Sequence, residues 1–84
     1  MTKLLYFAWI RERIGKPGEE IVLPPGVVTA GDLLGWLKGR GEEYAHALEH
    51  AEFIRVAIDQ EHVEHDTNIA DAAEIALFPP MTGG

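Results

Sequence analysis

The sequence predicts a single α+β domain. Three observations carry that expectation: short apolar runs rich in branched and aromatic residues near both ends, a capped helical stripe between them, and strand-like alternation in the second half. With 84 residues, 46% of them hydrophobic and 25% charged, the chain can build one core but not two.

The first element covers residues 4–10, Leu-Leu-Tyr-Phe-Ala-Trp-Ile. It is short and β-rich, and it reads as a strand that wants cover on both faces. In that reading Leu4, Tyr6, Ala8 and Ile10 face the core, while Leu5, Phe7 and Trp9 face away. Gly15-Lys16-Pro17-Gly18 is a turn by composition, and residues 20–23 form a second strand stopped by Pro24-Pro25-Gly26. The short connection suggests an antiparallel hairpin.

Thr29 is placed to cap a helix, with Asp32 in its first turn, where a negative charge favours the helix dipole. Ala30, Leu33, Leu34 and Leu37 give this helix its apolar stripe, and Gly39 and Gly41 end it. Residues 42–51 read as a shorter second helix with Tyr44, Ala47 and Leu48 on its apolar side. Ile54, Val56 and Ile58 then alternate with Arg55, Ala57 and Asp59 as a half-buried strand. A weak strand surrounds Val63 in a polar stretch. Residues 75–78 form the last strand, with Ile75 and Leu77 on one face and Ala76 and Phe78 on the other. The order is strand, strand, helix, short helix, strand, weak strand, strand.

Charge and composition exclude several classes of function. The formal net charge is −7, which disfavours nucleic acid and anionic membranes as partners. No Lys or Arg follows Arg55, whereas Asp59, Glu61, Glu64, Asp66, Asp71 and Glu74 do, so a basic partner surface would be steered toward that half. The absence of cysteine removes thiol nucleophiles, thiolate metal sites and disulfides, and fits a reducing compartment. There is no signal-peptide pattern and no apolar run of membrane-spanning length, so a cytoplasmic location is expected. His46 and His50 are four residues apart but lack the His-Glu-x-x-His order and a third ligand, so an exposed helix face is the better account. His62 and His65 read as solvated loop residues, Arg11 and Arg13 as surface charges that could pair with a partner's acids, and Trp36 as packing.

The residues that point to chemistry are at the end of the sequence, Phe78-Pro79-Pro80-Met81-Thr82-Gly83-Gly84. Pro79 and Pro80 cannot continue a sheet ladder and fix an extended backbone. The domain is therefore expected to span residues 1–78, with residues 79–84 as an extended tail reaching on the order of 20 Å. Gly83 and Gly84 have no side chains and fit a channel too narrow for larger residues. The α-carboxylate of Gly84 would be the reactive group. Attack on the α-phosphate of ATP gives an acyl-adenylate, whose carbonyl a sulfide or persulfide can then attack, leaving a thiocarboxylate directly from sulfide or, from a persulfide, once a thiol has cleaved the acyl disulfide. This route needs ATP and an activating enzyme, but no cofactor bound to the chain itself.

These residues resemble the small subunits of molybdopterin synthase, a family among the ubiquitin-like β-grasp sulfur carriers. The likeness covers nearly the whole chain: Phe7-Ala8-Trp9-Ile10-Arg11-Glu12 with Gly15, then residues 29–37, then Val56-Ala57-Ile58-Asp59, then residues 74–84. It departs at Asp71-Ala72-Ala73-Glu74, where the family commonly has an Asp-Gly-Asp-Glu-like turn. The resemblance implies a β-grasp fold, a mixed sheet of four to five strands with one main helix and a second short one. It also implies three partners: the synthase large subunit, an adenylating enzyme and a sulfur donor protein. In that cycle Gly84 is adenylated and thiocarboxylated, and sulfur passes to cyclic pyranopterin monophosphate, with the catalytic side chains supplied by the large subunit. Gly83, Thr82, Met81, Pro80 and Pro79 would give access to the partner's channel, and Phe78 would anchor the tail. Phe78, Phe7 and Leu5 are expected to share an uncovered partner-binding patch. Two alternatives stay open: a carrier for thiamine or for tRNA and protein modification, and a β-grasp interaction domain with no covalent chemistry.

Overall fold

A computed structural model of the chain describes residues 1–80. The element order is β1 (Thr2–Tyr6), α1 (Ala8–Ile14), β2 (Gly18–Ile21), α2 (Ala30–Lys38), α3 (Glu42–Ala47), a single 3-10 turn (Ala51–Phe53), β3 (Arg55–Ile58), β4 (Glu61–Val63) and β5 (Glu74–Phe78). The five strands form one sheet in the order β2-β1-β5-β3-β4. β1 and β5 lie side by side and parallel, and every other pairing is antiparallel. A mixed sheet of five strands, with the first and last strands as neighbours, agrees with the β-grasp expectation.

The strand alternation sorts the side chains. Leu4 and Tyr6 of β1, Ile75 and Leu77 of β5 and Val56 of β3 point to one face, where they join Ile10 and Ile14 of α1, the Ala30, Leu33, Leu34 and Leu37 stripe of α2, and Tyr44, Ala47 and Leu48. Helix α2 starts as the sequence indicates. The Thr29 hydroxyl accepts from the Asp32 N–H at 3.1 Å, and the Asp32 carboxylate accepts from the Thr29 and Val28 N–H groups at 3.0 and 3.1 Å. Those backbone donations, Thr29 first, hold the Asp32 carboxyl below its ordinary range.

The first element differs from its sequence reading. Residues 4–10 are not one strand: β1 stops at Tyr6, Phe7 is the extended N-cap of α1, and Ala8 turns the chain with a φ of 52°. Ala8 is therefore exposed instead of facing the core, and Ile10 reaches the core from a helix. Helix α1 adds a third helix to the expected two. Its own signal is Ile10 and Ile14, one helical turn apart and both buried. Gly15 ends it at a φ of 93°, its N–H returning to the Arg11 carbonyl at 2.8 Å, a left-handed backbone that glycine adopts without a side-chain clash. β1 and β2 do pair antiparallel, but through a helical connection and not a tight hairpin. β2 also lies two residues earlier than the sequence reading, so Ile21 enters the core and Val22 is 72% exposed. The second helix ends at Ala47 rather than Ala51.

One polar cluster joins these layers. Glu19 of β2 sits opposite Leu4 in the β1–β2 register, with its side chain 14% exposed. The hydroxyls of Tyr6 and Tyr44 both donate to Glu19 Oε2 at 2.6 Å, and Arg40 Nη1 lies 2.9 Å from Oε1, with Lys16 at 3.6 Å. Arg40 also lies over the rings of Tyr44 and Trp36, at 4.9 and 5.1 Å from their centroids. Burial by itself would raise the Glu19 carboxyl. The hydrogen bonds from Tyr44, Tyr6 and Arg40, with the charge of Arg40, outweigh it and hold the pKa at about 2. Burial and then the Glu19 carboxylate push the Tyr6 phenol far above its usual range, and the same causes raise Tyr44.

A stability measurement follows with a defined sign. The folded Glu19 pKa of about 2 lies below the ordinary 4.5, so its contribution is present in full above pH 4.5 and is lost as pH falls toward 2. Glu19→Gln keeps the shape but removes the charge. Chemical denaturation at neutral pH should show it less stable than wild type by about 2–3 kcal/mol, with the gap closing between pH 4.5 and 2. A gap that is unchanged across that window would show that the charge of Glu19 is not what holds the cluster.

Candidate functional site at the end of the central strand

Because β5 is central, its last residues emerge between β1 and β3. Leu77 pairs with Tyr6 on one side and Val56 on the other, and the Phe7 N–H donates to the Leu77 carbonyl at 3.2 Å. Phe78 is on the sheet face opposite Ile75 and Leu77, as its strand alternation requires. It is half-buried, because its ring stacks on Phe7 with centroids 4.6 Å apart and planes 8° from parallel. The His62 ring leans on the other side of Phe78, 5.7 Å away at 40°. Phe7 is 37% exposed. Phe7, Ala8, Arg55, His62, Phe78 and the two prolines line a shallow, mainly apolar hollow where the chain leaves the sheet.

The structure brings together Phe7, Phe78, Pro79 and Pro80 among the residues singled out from sequence. Leu5 shares their face, but it pairs with Ala76 one position back and lies over Gly18 toward β2, outside the hollow. The prolines are half-buried at its rim. Met81, Thr82, Gly83 and Gly84 lie outside the described residues. Sequence reasoning missed Arg55, His62 and Ala8 as neighbours of the aromatic pair. For Arg55 a signal existed: it alternates with Ile54 and Val56, whose side chains are core, so it must project from the opposite face. For His62 none did, because β4 is only three residues long. Ala8 was hidden by the run of apolar residues that reads as one strand.

The other titratable candidates lie elsewhere. His46 is on α3, while His50 lies beyond the end of that helix, near Phe53. His65 Nε2 is 2.6 Å from the Ile54 carbonyl. Arg13 lies over Trp9 at 4.5 Å and 3.8 Å from Glu49. Among the described residues no group of three His, Cys, Asp or Glu side chains could hold a metal ion, and no helix is long and apolar enough to cross a membrane.

Residues 4–84 match the family model described as the ThiS family. The chain is 34% identical to the molybdopterin synthase sulfur carrier subunit of Escherichia coli and 37% identical to that of Haemophilus influenzae, in both cases over all of each chain. Among solved structures it resembles the small archaeal modifier protein 1 of Haloferax volcanii, with a TM-score of 0.71 at 27% identity, covering 95% of this chain and 97% of that one. With that likeness, the mixed five-stranded sheet of this chain is a ubiquitin-like β-grasp. By a match that runs from the first strand to the last residue, the chain belongs to the ThiS family.

Proposed function

We propose that the protein is a cytoplasmic sulfur carrier of molybdenum cofactor biosynthesis, working as the small subunit of molybdopterin synthase. The observation that carries this reading is the end-to-end similarity to sulfur carrier subunits, over a span that reaches this chain's closing Phe-Pro-Pro and Gly-Gly residues. The geometry supports it. A central strand leads into Pro79 and Pro80 at an apolar hollow, where Phe78 and Phe7 offer a preformed aromatic surface.

In this reading residues 1–78 are the docking domain and residues 79–84 the working tail. Gly84 carries the reaction: an adenylating enzyme joins its carboxylate to the α-phosphate of ATP with release of pyrophosphate. The persulfide of a sulfur donor protein then attacks the carbonyl and AMP leaves, and a second thiol cleaves the resulting acyl disulfide, freeing the thiocarboxylate and forming a disulfide on the donor side. The thiocarboxylate is presented to the large subunit, which transfers its sulfur to cyclic pyranopterin monophosphate. Gly83 and Thr82 keep the approach slender, Met81 and the prolines span the distance, and Phe78 anchors the base with Phe7 and Leu5 on the same face. A protein-modifying role is the second reading, favoured by the fold similarity to a small archaeal modifier protein.

Intact-mass measurement after incubation with an adenylating enzyme, ATP and a sulfur donor should show exchange of one oxygen for one sulfur. A variant lacking Gly84 should show none while keeping the wild-type melting temperature. An unchanged mass of the wild-type chain with a competent activating system would rule out both carrier readings. Failure of the thiocarboxylate to form molybdopterin with the large subunit and pterin precursor would favour the modifier reading. Phe78→Ala should weaken binding of the large subunit and lower stability by only about 1 kcal/mol, the scale of a lost aromatic pair. Leu77→Ala, in the fully buried core, should cost about 2–5 kcal/mol. Equal losses of stability in the two variants would show Phe78 to be a core residue.

A further inference from the structure

The outer face of the sheet carries two basic side chains of unlike surroundings. Lys3 pairs in register with Glu20 on β2 and Glu74 on β5, so acidic residues flank it on both sides. Arg55 pairs instead with Phe78, is exposed, and forms part of the wall of the apolar hollow with His62. On its other side Glu52 and Glu64 line an adjoining groove, yet among the described residues no carboxylate lies within 4.0 Å of Arg55. In a chain with 14 acidic residues against 7 Lys and Arg, an exposed guanidinium with no ion pair among the described residues, beside a stacked aromatic pair, belongs to the surface and not to the core.

We propose that Arg55 is a specificity residue, selecting a partner segment that sets an Asp or Glu carboxylate beside an apolar side chain. The apolar side chain would fill the hollow against Phe7 and Phe78, and the carboxylate would meet the guanidinium at its rim. The chemistry favours this occupant. The net charge of −7 repels acidic surfaces in general, so a carboxylate is tolerated only where a cation answers it. Arg supplies a planar fork that takes a carboxylate through two hydrogen bonds, and an apolar neighbour excludes the water that would screen the pair. The aromatic pair thus gives area, and Arg55 gives discrimination among partners that offer similar apolar surface. This inference rests on the carrier reading, in which the partner is the synthase large subunit.

The test is a titration of the large subunit with the full-length chain and its Arg55→Lys, Arg55→Gln and Arg55→Glu variants at low and high salt, with circular dichroism as the folding control. Arg55→Gln should weaken binding by about three- to tenfold and Arg55→Glu by more than about tenfold, with Arg55→Lys between Gln and wild type. Wild-type affinity should fall with added salt, and Arg55→Gln should lose part of that dependence. Wild-type binding that all three variants match would overturn the role of Arg55 and leave the carrier reading intact. Competition by AMP that depends on Arg55 would also overturn it, by making the guanidinium a phosphate site. No binding of the large subunit by the wild-type chain would overturn the carrier reading itself, and this inference with it.

Discussion

The parallel pairing of β1 with β5 is the constraint on which the rest of the molecule depends. It joins residues about seventy positions apart, so its loop-closure cost must be recovered by what the pairing buries. Leu4, Tyr6, Ile75 and Leu77, each no more than 1% exposed, supply that on one face. On the other face the same ladder sets Phe7 beside Phe78. Parallel strands need a crossover, and here everything from α1 to β4 lies between them, so the core helices and the exit of the chain end are fixed by one register.

The two faces use polarity in opposite ways. On the helical side Glu19 has its charge answered in full, by two phenols and a guanidinium within hydrogen-bond distance, and the cluster ties β1 and β2 to α3 and the segment after α2. A partly buried carboxylate so satisfied specifies one arrangement of the layers, whereas one left unpaired would oppose folding. On the outer face the aromatic pair is backed by Ala57 and Ala76, 4% and 6% exposed, small residues that let larger neighbours close over them. There, among the described residues, Arg55 has no carboxylate within 4.0 Å. Among the described residues, charge is therefore paired where the layers are held together, while Arg55 stays open on the face proposed for docking.

Much of this was legible in the sequence, and what was not has a physical cause. Thr29 with Asp32, and the leucine stripe after them, could be placed because caps and helical periodicity are local. The faces of β5 could be assigned because a two-residue period needs only one buried member to set it. The end of β1 could not. Tyr6, Phe7, Ala8 and Trp9 are apolar without a break, Phe7 caps α1 with no side-chain hydrogen bond, and the left-handed turn falls on an alanine in place of glycine. The Glu19 cluster was hidden for a different reason: Tyr6, Glu19, Arg40 and Tyr44 meet only once four elements are packed. At the candidate site the aromatic pair was foreseen from alternation and from the resemblance. Leu5 was grouped with it because alternation fixes a face, not a position along that face.

A carrier without thiols needs placement from its domain, and placement is what this topology supplies. β5 is paired on both sides as far as Leu77, and Phe78 is still paired with Arg55 of β3, so the strand is held up to the prolines. Pro79 and Pro80 then restrict the first steps out of the sheet, since each fixes its own φ. In the proposed role, a partner that docks on the stacked rings would meet an aromatic surface already formed. Were Phe78 on an edge strand, it would lack a neighbouring strand on one side, and docking would have to order the strand end before it could use the aromatic pair.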